Sequence, residues 1–200
     1  MPNLYIIAGC NGAGKTTASY AIFPQMLDCR EFVNLDEIAK GISPFDPDSA
    51  SITAGRIMVH RINGLLEAGA DFAVETTLAT KSYVSFIRKA KEFGYFVTLV
   101  YFWLTTPELA VKRVEQRVRF GGHNVPEEVI YRRYWAGIRN LFRMYIPVSD
   151  YWILIDNSID PFEEIAEGNK TTVTSVSNTE KFLYLREHGE QNFGREDTSL

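Results

Sequence analysis

Apolar and polar positions follow two different periods along this chain. Short apolar runs bounded by polar residues are typical of buried strands, whereas apolar residues spaced three and four apart are typical of helices. The runs predict strands at residues 4–8, 32–35, 72–74, 97–104 and 152–155. The stripes predict helices at residues 16–23, 49–67, 81–93, 107–119, 126–145 and 160–166, and residues 171–176 are rich in β-forming side chains.

This alternation predicts the fold class. Strands separated by helices form parallel sheets with right-handed crossovers, so we expect an α/β fold with a mostly parallel sheet of about five strands flanked by helices. Residues 97–104 are apolar almost without interruption and predict a central strand buried on both faces. Ligands of such sheets bind beyond the carboxyl ends of the strands.

The first strand leads directly into a glycine-rich segment. Residues 9–16 fit G-x-x-x-x-G-K-[ST], in which backbone N–H groups and Lys15 bind phosphates and the Thr16 hydroxyl ligates Mg²⁺. A glycine-rich turn with a solvated lysine is the alternative, but it does not explain the flanking strand and helix. The segment predicts a P-loop NTPase that uses ATP and Mg²⁺. The expected nucleotide-binding residues are Gly9, Asn11, Gly12, Ala13, Gly14, Lys15, Thr16 and Thr17.

Acidic residues follow two of the other predicted strands. Asp36 follows the second strand, so we expect it at the same rim as Lys15, as the base that orients or deprotonates a substrate hydroxyl. Capping of the next helix is the alternative role, and one residue can do both. Glu75 and Thr77 follow the third strand, where a carboxylate organises Mg²⁺ or holds a substrate hydroxyl.

Arginines are concentrated between residues 113 and 143, where seven arginines accompany three acids. They lie on two predicted helices joined by a glycine-containing break, which suits an arginine-rich helical lid at about residues 107–146. A planar guanidinium matches phosphate geometry, and we expect Arg117, with Arg132 or Arg133, to contact the transferring phosphoryl group. A surface ion pair is the competing role for any single arginine.

Composition restricts the remaining classes of function. Of the 200 residues, 46% are hydrophobic and 23% are charged, as in an ordinary globular protein. The net charge of −4 gives no general attraction to nucleic acids or anionic membranes, so we expect neither as a partner. The two cysteines form no disulfide framework or zinc site, and no apolar run is long enough to span a bilayer, so we expect a cytoplasmic protein.

Four segments together resemble the zeta-toxin-like P-loop kinases. They are the phosphate-binding loop, the segment containing Asp36, the end of the third strand, and the arginine-rich stretch with its glycine break. The resemblance covers about residues 3–168 and implies an ATP-dependent kinase, since zeta toxins phosphorylate UDP-N-acetylhexosamines on a sugar hydroxyl. The implied site comprises the general base Asp36, the phosphate and Mg²⁺ ligands Lys15 and Thr16, the lid residues Arg117 with Arg132 or Arg133, and the substrate-side residues Glu75 and Thr77.

The sequence departs from the family pattern at one place. Zeta toxins carry a further carboxylate on the helix before the third strand that helps to hold the sugar nucleotide, whereas the matching positions here are near Val59 and His60. This difference weakens the substrate prediction and leaves the kinase prediction intact. An antitoxin-like protein is a candidate partner.

The leading prediction is an ATP-dependent kinase that transfers the γ-phosphoryl group to a hydroxyl of a small molecule. A nucleotide-dependent switch read by a protein partner is the alternative, and nucleic-acid processing is disfavoured by the acidic net charge. We expect residues 1–168 to form the kinase domain. Residues 169–200 are expected to form a C-terminal appendage that frays from about residue 190.

Overall fold

The computed structural model describes residues 1–26 and 29–190 of the chain. Within these ranges the strands are β1 (Asn3–Ala8), β2 (Glu31–Val33), β3 (Phe72–Thr76), β4 (Phe96–Trp103), β5 (Tyr151–Asp156), β6 (Glu163–Asn169) and β7 (Thr172–Val176). The α-helices are α1 (Lys15–Met26), α2 (Leu35–Ile42), α3 (Ser51–Ala68), α4 (Ser82–Glu92), α5 (Pro107–Arg119), α6 (Glu127–Asn140) and α7 (Thr179–Glu190). A π-helical segment, Leu141–Tyr145, continues α6.

The strands form one sheet in the order β2-β3-β1-β4-β5-β6-β7. The first five strands in this order pair in parallel, and β6 and β7 pair antiparallel. The predicted α/β class and mostly parallel sheet are therefore confirmed. The expected number of about five strands was wrong, because the described residues form a sheet of seven. β1 lies between β3 and β4, so the segment that follows it emerges at the centre of the sheet rim.

The two additional strands follow β5. Residues 160–166 were expected to form a short helix, but β6 pairs along β5 instead. This pairing buries Ile165 and Ala166 completely, and burial of apolar side chains outweighs the weak helical preference of an acidic segment. Residues 171–176, noted for their β-forming side chains but not counted among the expected strands, contain β7.

The start of α2 differs from the predicted strand end. β2 ends at Val33, and Asn34 caps α2 by accepting hydrogen bonds from the N–H groups of Asp36 (2.8 Å) and Glu37 (3.2 Å). Because Asn34 is the cap, the alternative role of Asp36 as a helix cap was wrong. The Asp36 side chain is exposed in the first turn of α2, three residues after the end of β2.

α6 packs against the carboxyl ends of β3 and β4. The Tyr134 hydroxyl donates to the Leu104 carbonyl oxygen (2.7 Å) and accepts from Trp103 Nε1 (3.0 Å), so the polar atoms of this buried contact are paired. A Cβ atom on Gly137 would lie 2.8 Å from the Thr77 carbonyl oxygen, so the missing side chain allows the helix to approach the end of β3. Movement of the arginine-rich segment as a lid stays a prediction.

We expect Gly137→Ala to lower the free energy of unfolding by about 1–3 kcal/mol, because the new methyl group pushes α6 away from Thr77. Gly64→Ala is the matched control, since Gly64 lies inside α3 and a Cβ there would meet no atom within 4 Å. Alanine at that site should raise the free energy of unfolding by about 0.4–1 kcal/mol by restricting the unfolded chain. Urea denaturation measures both changes, and equal stability of the two variants would contradict this role of Gly137.

The last described helix packs onto the rest of the molecule. Phe182 and Leu185 of α7 are buried, and the Phe182 ring lies 6.4 Å from the ring of Phe142. A domain boundary at residue 168 stays a prediction, and the fraying expected from about residue 190 concerns residues outside the described ranges. Among the helices described, none combines the length and the apolar character needed to cross a membrane.

Candidate active site

The phosphate-binding loop connects β1 to α1 and passes very close to its neighbours at two glycines. A Cβ atom on Gly9 would lie 2.3 Å from the Phe102 carbonyl oxygen, and one on Gly12 would lie 2.6 Å from the Ala110 carbonyl oxygen. Their φ angles of +143° and +79° are also rare for residues with side chains. Glycine at both positions therefore lets the loop fit between β4 and α5.

A hollow of about 290 Å³ opens over this loop, and we call it the phosphate hollow. The predicted nucleotide-binding residues that line it are Asn11, Gly12, Gly14, Lys15, Thr16 and Thr17. Gly9 and Ala13 are buried and support the loop from within the fold. The hollow is thus formed where the sequence motif places the phosphates.

Lys15 begins α1 and is almost fully buried. Its Nζ donates a hydrogen bond to the Cys10 carbonyl oxygen (3.0 Å) and lies 3.4 Å from Glu75 Oε1. A buried ammonium group needs such partners, because burial without them is costly. These contacts hold the Lys15 charge at the mouth of the loop.

Glu75 connects the phosphate-binding loop to β3 and to the cap of α2. Its Oε2 accepts hydrogen bonds from Thr16 Oγ1 (2.7 Å) and from Asn34 Nδ2 (2.8 Å). A hydroxyl and a carboxylate are oxygen ligands of the kind that Mg²⁺ prefers, so Thr16 and Glu75 fit a magnesium ion. Residues 1–26 and 29–190 contain no group of three or more His, Cys, Asp or Glu side chains that could hold a metal, so these two ligands would act together with phosphate oxygens.

A second hollow, of about 190 Å³, opens beside the first. Its lining includes Asp36, Thr77, Thr80, Tyr83 and Arg133. Asp36 and Glu75 are the two acidic residues that line both hollows. Hydroxyl groups and a guanidinium make this second hollow suitable for a polar, hydroxyl-bearing molecule. Space for a phosphate donor and space for an acceptor therefore adjoin two acidic residues, of which Glu75 is hydrogen-bonded to Thr16 and Asn34 and Asp36 is exposed.

A third and larger hollow, of about 480 Å³, lies between α2 and the glycine break, and Asp36 lines it too. His123 in the break lies across this hollow from the segment before α3, with Nε2 3.6 Å from Asp48 Oδ1. This contact joins the break to the opposite side of the site.

Two arginines reach the phosphate hollow from α5. Arg113 and Arg117 both line it, as their spacing of four residues along one helix face allows. Arg117 Nη2 donates to the His123 carbonyl oxygen (2.7 Å), and Arg113 Nη2 donates to the Ser158 carbonyl oxygen (3.3 Å). Arg117 thus lines the phosphate hollow, and its contact with the transferring phosphoryl group stays a prediction.

The structure separates the two neighbouring arginines of α6. Arg133 Nη1 donates to Asn11 Oδ1 (3.1 Å), which places this guanidinium at the phosphate-binding loop. Burial lowers the pKa of Arg133, and the nearby charge of Asp36 opposes that shift. Arg132 is exposed and lines a separate surface hollow with Trp135. Of the two alternatives left open by the sequence, Arg133 is the one that adjoins Asp36.

Sequence analysis missed three residues of the site. Asn34 was placed inside a strand, although an asparagine directly before acidic residues is a recognised start signal for a helix. Arg113 was counted only as one of the seven clustered arginines. Tyr83 lies in the first turn of α4, and nothing in its sequence context distinguishes it from an ordinary core tyrosine.

Comparison with known sequences identifies related proteins. The family model described as "Zeta toxin" matches residues 1–144. An uncharacterized protein of Haemophilus influenzae is 34% identical over 127 residues, which cover 63% of this chain and 88% of that protein.

Solved structures resemble this fold over nearly the whole chain. The structure of AvrRxo1-ORF1:-ORF2 with ATP has a TM-score of 0.74 at 19% identity, covering 97% of this chain and 66% of that chain. The chain thus spans 66% of the length of that relative. A structure of the PezAT toxin-antitoxin system of Streptococcus pneumoniae has a TM-score of 0.65 at 16% identity, covering 98% of this chain and 81% of that chain.

These comparisons settle the fold and the family. The structural likeness, together with the phosphate-binding loop and its parallel sheet, confirms the predicted P-loop fold. The family match extends from β1 through the phosphate-binding loop, Asp36, Glu75 and α6. Since the match covers residues 1–144 of a chain of 200, this protein belongs to the zeta toxin family.

Proposed function

We propose that this protein is an ATP-dependent kinase that transfers a phosphoryl group to a hydroxyl of a small molecule. The observation that carries the proposal is the position of Asp36, an exposed residue that lines both the phosphate hollow and the hollow beside it, which we call the acceptor hollow. Glu75 also lines both hollows, but its carboxylate is hydrogen-bonded to Thr16 and Asn34. A kinase needs a base between its phosphate donor and its acceptor. Family membership supports the same function.

In the proposed reaction, the acceptor hydroxyl oxygen forms a bond to the γ-phosphorus of ATP. The bond between that phosphorus and the oxygen bridging to the β-phosphate breaks, and ADP leaves. Asp36 accepts the proton of the acceptor hydroxyl. Lys15 and Arg133 stabilise the negative charge on the transferring group, since both are held at the loop by hydrogen bonds to its atoms.

Thr16 and Glu75 would hold Mg²⁺ in this site. Bound Mg²⁺ supplies positive charge that offsets the charge on the phosphate oxygens. Asn34 keeps the Glu75 carboxylate oriented through its side-chain amide, and it also fixes the first turn of α2 that carries Asp36. One asparagine therefore links the position of the proposed metal ligand to the position of the proposed base.

We expect Glu75→Gln to raise the Mg²⁺ concentration needed for half-maximal activity by about 10–100-fold, because the neutral amide binds the cation more weakly. A titration of ADP formation against Mg²⁺ measures this change. Glu67→Gln, at the exposed end of α3, removes the same charge away from the site and is the control. An unchanged Mg²⁺ requirement with a raised KM for the acceptor would instead make Glu75 a substrate ligand.

For the acceptor, we propose a UDP-N-acetylhexosamine. Family membership supports this choice, and Thr77 lines the acceptor hollow as the family resemblance requires. Val59 and His60 are exposed on α3, where the family pattern has a carboxylate, so the holder of a sugar nucleotide differs at this place. The acceptor test must therefore extend beyond sugar nucleotides.

The direct test incubates the protein with Mg-ATP and a panel of UDP-sugars, nucleosides and aminoglycosides. Coupled detection of ADP measures turnover, and mass spectrometry identifies the molecule that gains one phosphoryl group. A phosphorylated UDP-N-acetylhexosamine supports the full proposal, whereas another phosphorylated panel member retains the kinase and replaces the acceptor. ATP hydrolysis together with nucleotide-dependent binding of a protein, and no phosphorylated product, would favour the switch function.

We also propose an antitoxin-like protein as a partner. Support comes from the similar structures described as the AvrRxo1-ORF1:-ORF2 complex and the PezAT toxin-antitoxin system, which each name two components. Growth arrest on expression of the unsubstituted chain, relieved by co-expression of a candidate antitoxin, would support this partner. Normal growth at high levels of active protein would contradict it.

A further inference from the structure

The segment after β5 supports the phosphate-binding loop from beneath. Asn157 Nδ2 donates to the Ala13 carbonyl oxygen at 2.8 Å, and the Asn157 backbone N–H donates to the Trp103 carbonyl oxygen at 2.9 Å. A Cβ atom on Gly14 would lie 2.4 Å from Asn157 Nδ2, so the asparagine amide fills the space that this glycine leaves. Asn157 therefore joins the end of β4 to the middle of the loop.

The hydrogen bond to Ala13 has a geometric consequence for nucleotide binding. In a planar trans peptide, the C=O group and the following N–H group point in opposite directions. A carbonyl of Ala13 held toward Asn157 therefore directs the N–H of Gly14 away from Asn157. Gly14 lines the phosphate hollow, and backbone N–H groups of such loops are phosphate ligands. The Asn157 amide thus sets the direction of one expected phosphate ligand.

Asn157 is itself held by its neighbours. Asp156 is fully buried, with Oδ1 accepting the Ser158 N–H at 2.8 Å and Oδ2 accepting Lys181 Nζ at 2.6 Å. Burial alone would raise the pKa of Asp156, but the hydrogen bonds from Lys181 and Ser158 lower it. Lys181 also contacts Glu163 Oε2 at 2.5 Å. These contacts close a turn that has Asn157 at its centre and tie the turn to α7.

We propose that Asn157 is a positioning residue for the phosphate-binding loop and that Lys181 holds it in place through Asp156. The inference rests on the proposed binding of ATP. These three residues lie beyond residues 1–144, which the family model matches. The support of the nucleotide site therefore includes α7, which follows the matched segment along the chain.

Isothermal titration calorimetry with Mg-ATP tests the role of Asn157. Asn157→Asp preserves the size of the side chain, but a carboxylate cannot donate to the Ala13 carbonyl. Asn157→Leu, which removes the donor without adding a charge, should raise the Kd for ATP about 3- to 10-fold, as the loss of one hydrogen bond implies, and Asn157→Asp should raise it at least as much because its charge faces the loop. Asn140→Ala is the matched control, because Asn140 Nδ2 donates to the Leu78 carbonyl oxygen (2.6 Å) away from the loop. This control should lose stability and keep the Kd of the unsubstituted protein.

A second pair of variants tests Lys181. Lys181→Met removes the partner of a buried carboxylate and lowers stability, whereas Lys181→Arg keeps the positive charge. Measured below the melting transition, Lys181→Met should raise the Kd for ATP in the same direction as Asn157→Asp, and Lys181→Arg should restore it. A purely structural role would lower the melting temperature and leave the Kd of the folded protein unchanged. If Lys181→Met does not fold, the ATP affinity of the Asn157 variant still tests whether Asn157 positions the loop, and the ATP affinity of Lys181→Arg tests Lys181.

The outcomes separate this inference from the function on which it rests. Unchanged ATP affinity in folded Asn157→Asp, when the unsubstituted protein binds ATP, overturns the inference alone. Failure of the unsubstituted protein to bind ATP overturns the proposed function together with the inference. Weaker ATP binding in Asn157→Asp, with an unchanged KM for the acceptor, supports a role confined to the nucleotide.

Discussion

Asp36→Asn should reduce phosphoryl transfer by about 10²–10⁴-fold, the contribution typical of a general base, and leave ATP binding nearly intact. Asparagine has the shape of aspartate, but its neutral amide is far too weakly basic to take the acceptor proton. Because Asn34 caps α2 and the Asp36 side chain is exposed, this substitution removes no cap and creates no cavity. The expected loss therefore reflects chemistry and not folding.

Two measurements on the same samples test this expectation. Acceptor-dependent formation of ADP gives the turnover number, and calorimetry gives the Kd for ATP. Glu37→Gln is the control, since it removes one negative charge from the same exposed helical turn, at a residue that lines the phosphate hollow but not the acceptor hollow, and should reduce transfer far less. Transfer by Asp36→Asn at the rate of the unsubstituted protein would remove Asp36 from the mechanism.

Arg133→Met should reduce transfer by about 10³-fold or more, the effect typical of an arginine that stabilises a transferring phosphoryl group. The guanidinium of Arg133 is held at the loop by Asn11 and lines the acceptor hollow together with Lys15 and Asp36. In the proposed reaction its charge would therefore lie beside the bonds that form and break. Methionine fills the volume of the arginine stem and carries no charge.

Arg132→Met gives a matched control from the next position of α6. Arg132 is exposed and lines a hollow on the surface of α6, so its loss should leave turnover close to that of the unsubstituted protein. Turnover numbers of the two variants, with their melting temperatures, distinguish chemistry from stability. Equal activity in both variants would contradict the assignment of Arg133, and a larger loss in Arg132→Met would exchange the two roles.

Local sequence features were sufficient to predict the phosphate hollow. The loop motif is recognisable from residue types at fixed local spacing, although distant segments pack against its glycines, and Lys15 and Thr16 line the phosphate hollow. The apolar run before the motif predicts its strand. The ends of the other apolar runs predict which acidic residues lie at the rim. These predictions needed no knowledge of how distant segments pack.

Predictions failed where packing between distant segments decides the outcome. β6 contains too few apolar residues to be recognised, and only pairing with β5 explains its strand conformation. Arg132 and Arg133 are adjacent in sequence, and the rotation of α6 against the sheet determines which of them reaches the loop. The support of Ala13 by Asn157 spans 144 positions, so no local pattern could indicate it.

The close approach of α6 to β3 at Gly137 has a consequence for how acceptor preference could change. Thr77 contributes to the acceptor hollow, and its carbonyl oxygen lies beneath the helix that carries Arg133. A substitution that moved the end of β3 to admit a different acceptor would also shift Arg133. Under the proposed function, acceptor selectivity and rate would therefore be coupled through α6, and we expect new acceptors to be gained more readily through Thr80, just before α4, and Tyr83, in its first turn.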